Sequence, residues 1–248
     1  MTDSPPRYNA ILTEFSVSSP PERSTARPHP RPHSGHPPPL PDHRVRWSTV
    51  SERRVQILEA ATRTIARNGV RGLRVEEIAA EAGVSTGLIY YHFGGRAELL
   101  RRTLDFIGER AERHTTPAPE TARLAGPRAQ LQEMLLRELQ DTPEMVENST
   151  AWGEFQSSAV FDTGLREQLR EATRQWTDDL ADLVREAQAA GTADRDAPVA
   201  DVAERLTALV EGLSTRWLSG SVSLDRAREL LRGGIERELG PTAEDDPA

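Results

Sequence analysis

Six residues, Thr86, Gly87, Leu88, Tyr90, Tyr91 and His92, have side chains suited to reading another molecule rather than transforming it. Hydroxyl, phenol and imidazole tips exchange hydrogen bonds, Leu88 offers the apolar contact that a thymine methyl accepts, and Gly87 leaves room for a close approach. They fall in one run, STGLIYYHF, which reads as a short helix with Thr86 and Gly87 at its N-terminal end. Ser85 stands where an N-cap oxygen would start that helix. Ile89 and Phe93, four residues apart, belong to an inward face, and Tyr90 sits between the two faces.

The element that must position this helix lies just upstream. Ile78, Ala79 and Ala82 share one helical face. Gly83 then follows the last periodic residue, where a left-handed backbone favours glycine. Val84 is placed to plug back into the core. Two short helices across a tight turn form a helix-turn-helix, which lays its second helix in the DNA major groove. A first helix is expected from Thr49, with Glu52 completing a capping box, through Val55, Leu58, Ala61 and Ile65 to Asn68-Gly69. A fourth starts near Arg96, with Leu99, Leu100, Leu104 and Ile107 on its apolar side.

Beyond a proline-containing loop from Thr115 to Pro127, helical spacing continues through Leu131–Leu139, Met145–Val160, Leu165–Ala187, Val199–Trp217 and Leu224–Leu239. No alternating strand pattern appears, so the expected fold is all-α. It divides into a Pro/His-rich extension over 1–47, a helix-turn-helix domain over 48–95, a helical bundle over 96–240 and an acidic tail over 241–248. The extension holds 11 of the 18 prolines and is expected to be disordered. Its four histidines lack a carboxylate or cysteine partner and read as a polar tail. Arg44 and Arg46, just upstream of the first helix, suit an arm reaching the minor groove.

Charge sharpens this division. Residues 48–102 carry 9 Arg against 6 Glu, whereas residues 103–248 carry 16 Arg against 29 acidic residues. A basic segment joined to an acidic one suits a DNA reader attached to something that stays off DNA. All 31 basic residues are arginine, a genome-composition signature rather than a phosphate-binding device. The absence of cysteine excludes disulfide and thiolate chemistry. No HExxH, P-loop, Rossmann glycine pattern or nucleophile elbow occurs, so no catalytic residue, metal ligand or cofactor is expected. No apolar run approaches a membrane span and no signal-peptide core is present, which leads to an expected cytoplasmic location.

Residues 51–105 closely resemble the DNA-binding domain of the tetracycline-repressor-like (TetR) family. The matching features are the helix end at Asn68-Gly69, IAxxAGVS at Ile78–Ser85, LIYYHF at Leu88–Phe93, and Arg96-x-x-Leu99 opening the fourth helix. The resemblance implies a homodimeric transcriptional regulator, usually a repressor that leaves a palindromic operator when a small molecule binds its C-terminal domain. A ligand-independent architectural or activating DNA-binding protein is the alternative. By position, the resemblance places DNA contacts on Arg74, Val75, Ser85, Thr86, Gly87, Leu88, Tyr90, Tyr91, His92 and Arg96. Arg74 departs from a frequent threonine, and Glu76 and Glu77 must point away from phosphate.

Two further surfaces are expected in the C-terminal helices. Met145, Trp152, Phe155, Gln156, Phe161 and Trp176 combine apolar area with polar tips and are the candidate effector pocket, with core packing as the alternative for each alone. Glu147 and Glu154 are candidates to balance a cationic ligand, against a solvated face. Trp152-x-x-Phe155 before a long helix is similar to the choline- and betaine-responsive branch of the same family. Val202, Leu206, Leu209, Leu213 and Trp217 form the apolar stripe expected at the dimer interface.

Overall fold

The computed structural model describes residues 43–115 and 126–240. The expectations for most of the extension, for the centre of the proline-containing loop and for the acidic tail lie outside these residues. The N-terminal part consists of α1 (His43–Asn68), α2 (Val75–Ala82), α3 (Thr86–Phe93) and α4 (Arg96–Thr115). Helix α1 begins upstream of the expected Thr49 cap, because nothing between Pro41 and Gly69 interrupts it. Thr49, Glu52, Arg44 and Arg46 are therefore helical positions, and the two arginines do not form an arm preceding the helix. The inner face of α1 is also rotated from the expected one. Ile57, Ala60, Ala61, Thr64 and Ile65 are buried, whereas Val55 is exposed and Leu58 only partly covered.

The C-terminal part consists of α5 (Pro127–Arg137), α6 (Pro143–Ala159), α7 (Thr163–Ala189), α8 (Val199–Leu218) and α9 (Leu224–Leu239). Side-chain caps set three of the starts. Thr142 Oγ1 accepts from Met145 N at 3.3 Å, Asp162 Oδ1 from Gly164 N at 2.9 Å and Ser223 Oγ from Arg226 N at 3.3 Å. Two helices end on bonds to distant chain. Arg128 Nη1 donates to the carbonyls of Thr192 at 2.7 Å and Gly240 at 2.9 Å, and Asp194 N donates to Leu239 O at 2.7 Å.

Two apolar clusters hold these helices. One joins α1–α4 to Ala151, Phe155 and Ala159 of α6 and to Leu165 of α7. The other joins α5, α7, α8 and α9 through residues such as Leu135, Val184, Leu206 and Leu231. The first cluster crosses the expected boundary near residue 95, so α6 is packed directly on α1 and α4. At this joint Gly69 has φ 74°, and a Cβ there would lie 2.7 Å from Glu154 Oε2. The left-handed backbone favours glycine there, and a side chain would also displace the Glu154 carboxylate. Among the described residues no helix is long and apolar enough to cross a membrane.

Candidate functional site

The turn before α3 is built from the residues its sequence suggested. Gly83 adopts φ 63°, ψ 35°, the left-handed conformation that ends α2, and Val84 packs against the core. Ser85 Oγ accepts from Leu88 N at 3.2 Å and starts α3. Helix α2 is tied to α1 by four side-chain bonds, three of them at its C-terminal end. Gln56 Nε2 donates to Ala82 O at 2.8 Å, and Arg63 Nε and Arg67 Nη2 donate to Glu81 at 2.8 and 2.5 Å. Those guanidinium bonds hold the Glu81 carboxyl below its usual pKa.

Helix α3 is buried on one side only. Ile89 and Phe93 are 1% and 3% exposed, whereas Tyr90 and Tyr91 are 48% and 81% exposed. Ser85 and Gly87 are exposed, and Thr86, Leu88 and His92 are half-buried on the outer side. His92 packs edge-on against Tyr91, with ring centroids 5.2 Å apart. Burial, with Arg54 nearby, lowers the His92 pKa, so the imidazole is neutral at pH 7 and offers a hydrogen bond rather than a charge. Arg54 itself lies 5.7 Å from the Phe93 ring. It brings a cation from α1 to the C-terminal end of α3, which the motif did not indicate.

Three other positions expected at DNA are placed differently from one another. Arg74 is exposed at the start of α2, with its Nε 3.9 Å from Glu77 Oε1. Glu77 also accepts from Asn68 Nδ2 at 3.1 Å, which draws that charge toward α1. Val75 is buried, so its side chain faces the core and only its backbone is available at the helix start. The Arg96 guanidinium donates to Val70 O at 2.7 Å and Leu73 O at 3.4 Å, which makes it a clamp on the loop between α1 and α2.

In the C-terminal part, the expected pocket residues separate. Met145 and Phe155 are fully buried core, and Trp176 packs on the second cluster. Phe161 is 75% exposed, with the Arg71 guanidinium 4.4 Å from its ring centroid. That places it beside the α1–α2 loop and outside any pocket with the others. Trp152 and Gln156 do converge, and they do so on Glu211 of α8. Trp152 Nε1 donates to Glu211 Oε1 at 3.1 Å, and Gln156 also hydrogen-bonds this carboxyl. For Glu138, immediately after α5, burial, then repulsion from Glu211, pushes the pKa up to about 7. Burial likewise raises Glu211, and burial with neighbouring carboxylates raises Asp179 of α7 to about 6. Glu147 and Glu154 are not part of this group. Glu147 accepts from Arg110 Nη1 at 2.6 Å, and Glu154 lies against Gly69. Glu138 and Glu211 were hidden in sequence because each merely borders an apolar stripe among many carboxylates.

The residues of the expected dimer stripe divide into two groups. Val202, Leu206 and Leu213 are buried within the chain's own second cluster, because α8 turns that face toward α7 and α9. Leu209 and Trp217 remain half-buried, with Leu209 pressed on Gly234 of α9. The outward faces carry Ala208, Gly212 and Thr215 on α8 and Leu230 and Gly233 on α9.

A capped helix buried on one side only, set across a tight turn from α2, defines a helix-turn-helix, the motif that lays its second helix in the DNA major groove. The sequence matches the family of bacterial regulatory proteins of tetR type over residues 57–103 and the C-terminal domain of BetI-type transcriptional repressors over residues 127–240. It is 30% identical over 194 residues to the HTH-type transcriptional regulator BetI of Burkholderia mallei (strain NCTC 10229), covering 76% of this chain and 94% of that protein. A TetR-family regulator from Rhodococcus sp. is similar in structure, with TM-score 0.72 and 44% identity over 77% of this chain and all of the other. A transcriptional regulator from Saccharomonospora viridis in complex with choline has TM-score 0.67 and 28% identity, covering 76% of this chain and 98% of that one. The chain belongs to the TetR family of transcriptional regulators. These relatives are regulators and not enzymes.

The raised carboxyls have a consequence for stability. The folded chain holds the Glu138 proton above the unfolded pKa, so stability falls as pH rises from about 4.5 through about 7. Over that window the full shift corresponds to roughly 3 kcal/mol. The midpoint of urea unfolding is expected to drop between pH 5.5 and 8, and Glu138→Gln is expected to remove part of that drop, the rest coming from Glu211 and Asp179. An identical pH dependence in the two proteins would refute the assignment.

Proposed function

We propose that this chain is a homodimeric transcriptional repressor that reads a palindromic operator with two α3 helices and leaves it when a small molecule binds among its C-terminal helices. The observation that carries this reading is the outward side of α3, where Tyr90 and Tyr91 stand exposed beside Thr86 and Gly87 while Ile89 and Phe93 anchor the helix. Thr86, Gly87 and Leu88 are the proposed base-reading end. Arg74, Ser85, Tyr90, Tyr91, His92 and Arg54 are the proposed backbone contacts, with Val75 contributing its N–H and Arg96 holding the loop. Choline bound to the similar Saccharomonospora protein supports a small-molecule effector for this chain as well. A dimer would set its recognition helices about 34–36 Å apart, one turn of DNA.

Fluorescence anisotropy on DNA from upstream of the protein's own gene separates the two kinds of contact. Thr86→Ala is expected to change which operator bases matter, whereas Tyr91→Ala weakens every sequence about tenfold. If neither change alters affinity in a folded protein, α3 is not the reading helix. The dimer surface has its own test. The outer faces of α8 and α9 combine small residues with Leu230, which is 37% exposed and suits close helix packing against a second copy. Leu230→Arg is expected to convert a dimer into a folded monomer in gel filtration with light scattering. A variant that elutes as an unchanged dimer would move the interface elsewhere.

A further inference from the structure

The corner between α6 and α7 puts an aromatic ring into solvent on a fixed support. Phe161 is 75% exposed and Val160 61%, and neither belongs to an apolar cluster. The backbone beneath them is nevertheless pinned from both helices. Phe161 N and Asp162 N donate to Ser158 O at 3.0 and 2.9 Å. From α7, the Arg166 guanidinium donates to Ala159 O at 2.8 Å and Val160 O at 2.6 Å. What the ring touches is Arg71 of the α1–α2 loop. Its guanidinium carbon lies 4.4 Å from the ring centroid, against 5.7 and 5.9 Å for the other two such contacts among the described residues.

The loop side of this contact is equally specific. Arg71 is exposed and makes no ion pair among the described residues, so the ring is its partner. A planar, weakly hydrated guanidinium stacks on an aromatic face where an ammonium would stay in water. A cleft of about 370 Å³, lined by Val70, Arg71, Arg96, Ser158, Phe161 and Asp162, opens between the loop and the corner. Arg96 fixes the inner side of the loop to α4 through the carbonyls of Val70 and Leu73. The outer side, facing the cleft, is bridged to the corner by Arg71 on Phe161. Three residues further on the loop delivers Arg74, the cap position of α2.

We infer that Phe161 is a positioning residue for DNA binding. It holds Arg71, and through Arg71 the outer side of the α1–α2 loop, in the arrangement that presents Arg74 and the start of α2 to the phosphate backbone. The inference rests on the proposed placement of α2 at phosphate and adds the side chain by which the C-terminal helices govern it. Phe161 thus serves the DNA contact from outside the DNA-binding helices, and it does so because it is exposed.

Hydrogen exchange on the full chain without DNA tests the hold on the loop. Phe161→Ala is expected to speed exchange over residues 69–76 roughly threefold and to leave α3 and the melting temperature unchanged. Phe161→Tyr, which keeps the ring, is expected to exchange like the parent chain. Anisotropy on the promoter fragment tests the consequence. Phe161→Ala and Arg71→Ala are each expected to weaken binding about fivefold, the double variant no further, and Phe161→Tyr hardly at all. Neither alanine variant should change the slope of log affinity against log salt, since Arg71 is engaged by a ring and not by phosphate. Three results would overturn the proposal: unchanged loop exchange in Phe161→Ala, losses that multiply in the double variant, or a salt slope reduced by about one in Arg71→Ala, the mark of a direct phosphate contact. Arg74→Ala separates this from the reading beneath it. If Arg74→Ala weakens binding and Phe161→Ala does not, the positioning role falls. If neither weakens it while loop exchange still rises in Phe161→Ala, the placement of α2 at phosphate falls and the hold on the loop stands.

Discussion

An eight-residue helix does not persist alone in water, because its nucleation cost exceeds what so few bonds return. Helix α3 exists because Ile89 and Phe93 are driven into the core formed by α1, α2 and α4. Burying two such side chains stabilises by roughly 1.5–3 kcal/mol each. That anchoring is what leaves the opposite side free. Tyr90, Tyr91 and Gly87 can stand in solvent because the helix no longer needs them for stability, and Ser85 and Gly83 fix where it begins.

The same core reaches past the DNA-binding helices. Phe155 and Ala151 of α6 belong to it, and α6 touches the α1–α2 joint through the close approach of Glu154 to Gly69. Just beyond the end of α6, Phe161 lies beneath the Arg71 guanidinium. The adjoining stripe of α6 carries Trp152 and Gln156, which hold Glu211 of α8. One helix thus touches both Glu211 of α8 and the core beneath α2 and α3. A small rotation of α6 would be felt at both, which is the physical link that the proposed release from DNA requires.

Most of the fold was legible in the sequence because its punctuation is strong. Gly83 before Ser85, Asn68-Gly69, and Gly240 after Leu239 all mark real helix ends. The start of α1 was misplaced because Thr49 and Glu52 mimic a cap inside a stretch with no breaker. Periodicity also cannot say against what an apolar stripe packs. Val202, Leu206 and Leu213 have the pattern of an interface and are spent inside the chain, and Phe161 has the composition of a pocket residue and lies at the surface. Glu138 and Glu211 escaped for the converse reason, since their distinction is burial near another carboxylate with no ion pair among the described residues, a property only of the three-dimensional arrangement.

The central claim is that paired α3 helices read a two-fold DNA site. Hydroxyl-radical footprinting of the full chain on the promoter of its own gene tests it most directly. The account predicts two protected half-sites related by a dyad, centred about one helical turn or a multiple of it apart. A single unpaired patch of protection, or uniform protection without sequence preference, would contradict it.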